Sequence, residues 1–193
     1  MGEQTVNKPK CLTELAGKSL LDWQLKALRG AGVKDIAIVR GYRKELLDFS
    51  GVTYFDNDQW ETTNMVASLL CADSWLREDR CLMCYGDIVF PAATIRRLLD
   101  VEAELMLPYN TKWLELWKMR FADPLSDAET FQIDQKGFLQ EIGNKARSLE
   151  EIQGQYMGLI CIRPVAWQKI RLILESVNYQ KMFITDLLQQ VMS

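Results

Sequence analysis

Three apolar runs decide how this chain folds: IAIVR (36–40) stops at Gly41-Tyr42, VTYF (52–55) stops at Asp56-Asn57-Asp58, and CLMCY (81–85) stops at Gly86-Asp87. Each has the length and the β-branched or aromatic content of a strand, and each is closed by small or polar residues suited to holding phosphate. In an open α/β sheet, ligands bind in the crevice beyond the carboxyl ends of the strands. Polar punctuation at three such ends therefore marks the rim of one site.

The segments around these runs alternate with them. Residues 19–31 read as a helix, with Ser19 as N-cap, Asp22 in the first turn, Leu20, Leu21, Leu25 and Leu28 on one side, and Gly30 and Gly32 at its end. Strands at 34–40, 52–55 and 80–85 are followed by a short helix over 44–49, a helix over 65–76 capped by Thr63 or Asn64, and a helix over 92–100. A further strand covers 103–107. Strands alternating with helices imply parallel pairing through right-handed crossovers. Beyond Asn110 the pattern changes. Residues 113–121 are aromatic and basic, and TFQIDQKGFLQEIG (130–143) reads as a β-hairpin about Gln135-Lys136-Gly137, with Phe131, Ile133, Phe138 and Leu139 alternating. A buried strand over 156–162, a helix with Pro164 at its first position and a last helix over 184–192 complete the chain. No repeat, linker or low-complexity tract interrupts it. The expectation is one α/β domain over 1–193: a Rossmann-like mixed, mainly parallel sheet with flanking helices and an inserted hairpin.

Bulk properties limit the function. A chain of 193 residues buries roughly 70% of its unfolded surface and needs no metal or disulfide staple. A net charge of -3 with scattered basic residues leaves no footprint for nucleic acid. No run approaches the roughly 20 apolar residues of a membrane span and no signal peptide opens the chain, so a cytoplasmic protein is expected. Five cysteines without a paired framework fit a reducing compartment. Cys81 and Cys84 lie in one strand, three residues apart, hence on opposite faces, where they act as small hydrophobes and not as a redox pair. The chain has no histidine, which removes Ser-His and Cys-His nucleophiles. Chemistry here must rely on carboxylates and lysines, to which Mg²⁺ could be added.

The ordered motifs carry a resemblance. KPKCLTELAGKSLLDWQLKALRGAGVKDIAIVRGY (8–42) resembles the P-K-x-L, G-K-x-L-L, helix, strand and G-Y opening of the sugar-phosphate and phosphocholine nucleotidyltransferases, and YGDIVF (85–90) their metal-binding G-D-x-x-F strand end. NDQWETTNMVASLLCA (57–72), WKMRFADPLSDAETFQIDQKGFLQEIGNK (117–145) and GQYMGL (154–159) are similar to the phosphocholine cytidylyltransferase branch. The resemblance implies that a phosphomonoester oxygen attacks the α-phosphorus of CTP and pyrophosphate leaves. Since the second pKa of a phosphate is about 6, that nucleophile is already deprotonated at neutral pH and needs no general base.

On this resemblance Lys10 becomes the cation on the triphosphate, Asp87 the Mg²⁺ ligand and Lys145 a contact to the acceptor phosphate. Asn57, Asn64, Ser68 and Gly86 match nucleotide-side positions, Asn64 either aiming amides at an anion or simply capping a helix. Asp127, Glu129, Tyr156 and Gly158 match the acceptor side. Trp113 and Trp117 join Tyr156, Asp127 and Glu129 as a possible cage for a trimethylammonium group or another amine-bearing phosphate. Thr185-Asp186 matches a T-D helix start, with Asp186 as a cap. The family's glycine-rich loop before P-K-x-L and its acidic segment after the T-D helix have no counterpart, so a domain truncated at both ends is expected. A sugar-1-phosphate nucleotidyltransferase and a non-catalytic nucleotide-binding domain are the competing readings.

Overall fold

The computed structural model describes residues 6–193. Strands β1 (Glu14–Leu15) and β2 (Lys18–Ser19) form a tight hairpin whose turn residues Ala16 and Gly17 have φ of 50° and 77°, the left-handed pair that suits the twist of two-residue hairpins. Helix α1 (Leu20–Gly30) starts on the expected cap: Ser19 Oγ accepts from Asp22 N at 3.0 Å and Asp22 Oδ2 accepts from Ser19 N at 3.2 Å. Strands β3 (Ala37–Arg40) and β4 (Thr53–Asp56) pair in parallel, Ala37 opposite Thr53 and Arg40 opposite Asp56.

Between β3 and β4 the expected helix over 44–49 shrinks to a 3₁₀ turn, Lys44–Leu46, entered through Arg43 at φ 51°. The expected helix over 65–76 breaks at Cys71-Ala72 into α2 (Met65–Leu70) and α3 (Asp73–Glu78), the latter held against the interior by Trp167 Nε1 donating to Asp73 Oδ1 at 2.9 Å. Strand β5 (Cys81–Cys84), helix α4 (Ala92–Asp100), and strands β6 (Leu105–Met106) and β7 (Tyr109–Asn110) follow. Helix α5 (Trp113–Arg120) leads into the hairpin of β8 (Glu129–Ile133) and β9 (Leu139–Lys145). The strand expected over 156–162 is split into β10 (Gln155–Tyr156) and β11 (Leu159–Ile162) because Gly158, at φ 72°, redirects the chain from pairing with β7 to pairing with β5 and β6. Helices α6 (Pro164–Ser176), with Pro164 first, and α7 (Ile184–Met192) end the described chain.

The sheet is less parallel than its strand–helix alternation implies. β11 lies between β5 and β6 and is antiparallel to both, so those two run the same way without touching. Among the described residues β3–β4 is the one parallel ladder, and no ladder joins β3 to β5. The two nonetheless occupy one layer. Ile38, Leu82 and Cys84 pack with Leu21, Leu25 and Leu28 of α1 and Ile95 of α4, while Cys81 and Met83 face the opposite cluster of Val66, Trp167, Ile170 and Leu187. Cys81 and Cys84 thus sit on opposite faces, and burial pushes their thiols up to about 11 and about 12, which leaves them inert. Phe138 departs from the inward alternation. It lies in the hairpin turn, 65% exposed, where Asp134 Oδ1 accepts from Lys136 N and Phe138 N. Among the described residues no helix is long and apolar enough to cross a membrane.

Candidate active site at the strand ends

The chain beyond β5 is held by a residue that local sequence does not mark. Gln24, on α1 and 4% exposed, donates through Nε2 to Tyr85 O at 2.8 Å and Ile88 O at 2.7 Å, bracketing Gly86-Asp87. A buried amide with both hydrogens used on backbone carbonyls fixes the turn that presents Asp87. The 3₁₀ turn Lys10–Leu12 crosses this point, with Cys11 Cβ only 3.4 Å from where a side chain on Gly86 would begin. Lys10 Nζ comes to 4.0 Å from Asp87 Oδ2, with the two side chains 64% and 32% exposed. Such an open pair contributes no more than about 1 kcal/mol, so the ammonium is free to turn toward a stronger anion.

A second group of residues lies beside this turn. The Tyr85 ring meets Tyr156 edge-on, centroids 5.7 Å apart, and a Cβ on Gly158 would fall 2.9 Å from the Tyr85 ring, so Gly158 is what lets that ring seat. Burial, together with the charges of Glu129 and Asp87, pushes the Tyr85 phenol up to about 12. The Tyr156 hydroxyl is buried without a hydrogen-bond partner. Glu129 reaches solvent, yet the surrounding protein desolvates it and, with the Asp186 and Asp127 charges, raises it above the usual carboxylate range. Asp127 accepts from Trp117 Nε1 at 3.1 Å. Lys145 stands directly across the β8–β9 ladder from Glu129. Asp186 does cap α7, accepting from Phe183 N at 2.9 Å, and in addition turns its charge on Glu129.

The structure therefore gathers Lys10, Gly86 and Asp87 at one turn and Glu129, Asp127, Lys145, Tyr156 and Gly158 beside it, with Tyr85 as the link. Trp113 does not join them. It is 4% exposed and packs inward on Ala128, Ala146 and Ile152, its Nε1 donating to Ile152 O at 3.2 Å. Asn57, Asn64 and Ser68 form a different group. Asn57, 7% exposed, donates to Thr63 Oγ1 and Ser68 Oγ at 3.0 Å each and accepts from Gln59 N at 3.0 Å. Asn64 caps α2 by accepting from Met65 N at 2.9 Å and donates to Lys181 O at 3.2 Å. None of the three bonds to Lys10 or Asp87. Of the three, Asn57 lines a cavity of about 310 Å³, where the carboxylate of Asp56 is already engaged by Arg40 at 2.7 Å and Lys44 at 3.0 Å.

Sequence reasoning passed over Gln24 and Tyr85. Tyr85 could have been found as the residue preceding Gly86-Asp87, whereas Gln24 looks like any polar residue on a helix.

Comparison with known proteins gives this α/β fold a family. The sequence profile of the MobA-like NTP transferase domain aligns with residues 1–142. The chain belongs to the MobA-like NTP transferase family. This transferase is 30% identical over 204 residues to a CTP:phosphoglutamine cytidylyltransferase of Campylobacter jejuni, an alignment covering 96% of this chain and 80% of that protein. Its fold is shared with the inositol-1-phosphate CTP transferase of T. maritima (TM-score 0.72, 16% identity, 96% of this chain and 73% of that one). It is shared equally with the CTP:phosphocholine cytidylyltransferase of Streptococcus pneumoniae (TM-score 0.71, 18% identity, 97% and 78%). The transferase is thus an enzyme of nucleotidyl transfer on an α/β fold of the nucleotide-diphospho-sugar transferase kind.

Proposed function

We propose that this enzyme transfers a cytidylyl group from CTP to a small amine-bearing phosphate, phosphocholine or a related compound, and releases pyrophosphate. The observation that carries the reading is the adjacency of two unlike ends: Lys10 and Asp87 at the turn after β5, and the carboxylate region of Glu129, Asp127 and Asp186, joined to it by the Tyr85–Tyr156 ring contact and by Gln155 Nε2 donating to Glu129 O at 2.6 Å. A triphosphate fits the first end and a cationic tail the second, so the acceptor phosphate falls between them, toward Tyr85 and Lys145. The names of the cytidylyl-transferring relatives support the choice of CTP.

The bond that forms joins an acceptor phosphate oxygen to the α-phosphorus, and the bond that breaks is the one to the β-phosphate bridge. Because the acceptor is mostly dianionic at neutral pH, no protein base takes a proton. The protein's work is orientation and neutralisation of charge spread over the reacting phosphates. Lys10 supplies one mobile positive charge and Lys145 a second from the ribbon side. Among the described residues no cluster of three metal-ligating side chains exists, so a resident metal cage is absent there. Asp87 alone still suits Mg²⁺, which takes one or two carboxylates and completes its shell with substrate phosphates and water. When bound, the ion would screen the triphosphate, and Gln24 keeps the Asp87 turn in place to receive it.

The test is pyrophosphate release from CTP with Mg²⁺ and phosphocholine, phosphoethanolamine or a sugar 1-phosphate as acceptor. Turnover is expected with an amine-bearing acceptor and is expected to fall at least about a hundredfold in Lys10→Ala and Asp87→Asn, both of which should melt near the parent temperature. Turnover with the sugar phosphate alone would overturn the acceptor assignment.

A further inference from the structure

We propose that Gly143 is a positioning residue for the acceptor end of the site: having no side chain, it lets the first turn of α7 close onto β9 and so sets the separation between Asp186 on the helix and Glu129 and Lys145 on the ribbon. The inference rests on the acceptor reading above but depends on different atoms.

Gly143 lies two residues before Lys145 in β9, at φ 84°. A Cβ built there would stand 2.7 Å from Thr185 Cβ and 3.0 Å from Thr185 Oγ1. Carbon atoms in contact settle at about 3.5–4.0 Å, so any larger residue would drive the helix turn back by roughly 1 Å. Thr185 precedes Asp186, and both belong to the turn closed by Asp186 Oδ2 on Phe183 N. The same helix is tied to the same strand one turn on, where Gln189 Nε2 donates to Ile142 O. The obstructing atoms are the branch point of a β-branched side chain and not a flexible tip, so the clash is relieved by moving backbone. In a site whose two ends hold different substrates, a displacement of this size is felt chiefly by the substrate at the end that moves.

The fold supplies its own control. Gly137, in the turn of the same hairpin, has the same φ of 84° and nothing within 4 Å of its would-be Cβ. Gly137→Ala therefore carries the backbone strain without the collision.

Steady-state kinetics of Gly143→Ala should show the acceptor KM raised about tenfold or more, with the CTP KM unchanged. Gly137→Ala should move neither. Gly143→Ala combined with Thr185→Gly should recover most of the acceptor KM. Equal rises in both KM values, the same effect from Gly137→Ala, or no recovery in the double variant would overturn the proposal. A second measurement needs no substrate. Carboxyl carbon NMR should find Glu129 titrating nearer its ordinary value in Gly143→Ala, because Asp186 has withdrawn, and unchanged in Gly137→Ala. If the parent enzyme turned over no amine-bearing phosphate, the acceptor reading would fall while this titration still decided the role of Gly143. An unmoved Glu129 titration in Gly143→Ala would refute the positioning role.

Discussion

A carboxylate whose ionisation is opposed by its surroundings destabilises the fold that holds it. Glu129 is such a group: desolvation first, then the Asp186 and Asp127 charges, raise it from its ordinary value of 4.5. The folded protein consequently binds that proton more tightly than the unfolded chain, and this contribution to stability is full below pH 4.5 and lost as pH rises through the raised folded value. Glu129→Gln removes the penalty. Its melting temperature should exceed the parent's at pH 7, with the gap closing as the pH is lowered toward 4, while affinity for a cationic acceptor falls. Thermal melts across that range check the first expectation and acceptor KM the second. Carboxylates at 127 and 129 could be picked out from the sequence because the motif around them is contiguous. The environment that strains them could not, since Asp186 arrives from a helix more than fifty residues away. The surroundings of Asn57 and Asn64 were equally hidden: their hydrogen bonds go to Thr63, Ser68 and Lys181, partners that only the folded chain brings into reach.

At the scale of elements, α4 is closed by a residue from outside it. Arg80, at the entry to β5, donates through Nη1 to Leu99 O at 2.8 Å and through Nη2 to Leu98 O at 2.9 Å and Val101 O at 3.1 Å, and its Nε reaches Cys161 Sγ at 3.1 Å. The guanidinium thus satisfies the carbonyls that the helix leaves unpaired and ties the helix to β11. Arg80→Leu is expected to cost about 1–3 kcal/mol, read as a lowered urea midpoint, and Arg80→Lys to recover little, because an ammonium does not span three carbonyls. Helix ends with a local signal were legible beforehand: Ser19 and Asp22 for α1, Pro164 for α6, and the bounds of α4 and α7 coincide with their apolar spacing. Strand partners were not. Alternation of strand and helix suggested parallel neighbours, and nothing within 156–162 except one glycine announces that the chain changes sheets there and slots in antiparallel.

For the whole molecule, the missing ladder between β3 and β5 divides a single layer into two hydrogen-bonded bodies that share side-chain packing. Packing alone does not shield amides as paired strands do. Hydrogen exchange should therefore find β11, bonded on both sides and buried at every residue, exchanging only on global unfolding, while amides of β3 and β5 that point away from β4 and β11 exchange by local opening. Uniform protection across all three strands would show that this edge is closed in solution.

The central place of β11 also bears on the order in which the protein is made. Its partners leave the ribosome long before it does, about 75 residues earlier for β5 and 55 for β6, so two apolar strands must wait for a third made well after them. Pairing across such sequence distances is slow, and a waiting strand is an invitation to the wrong neighbour. The nascent chain is thus most vulnerable to misassembly in the interval before β11 emerges, and that one strand acts as the latch on the two synthesised before it.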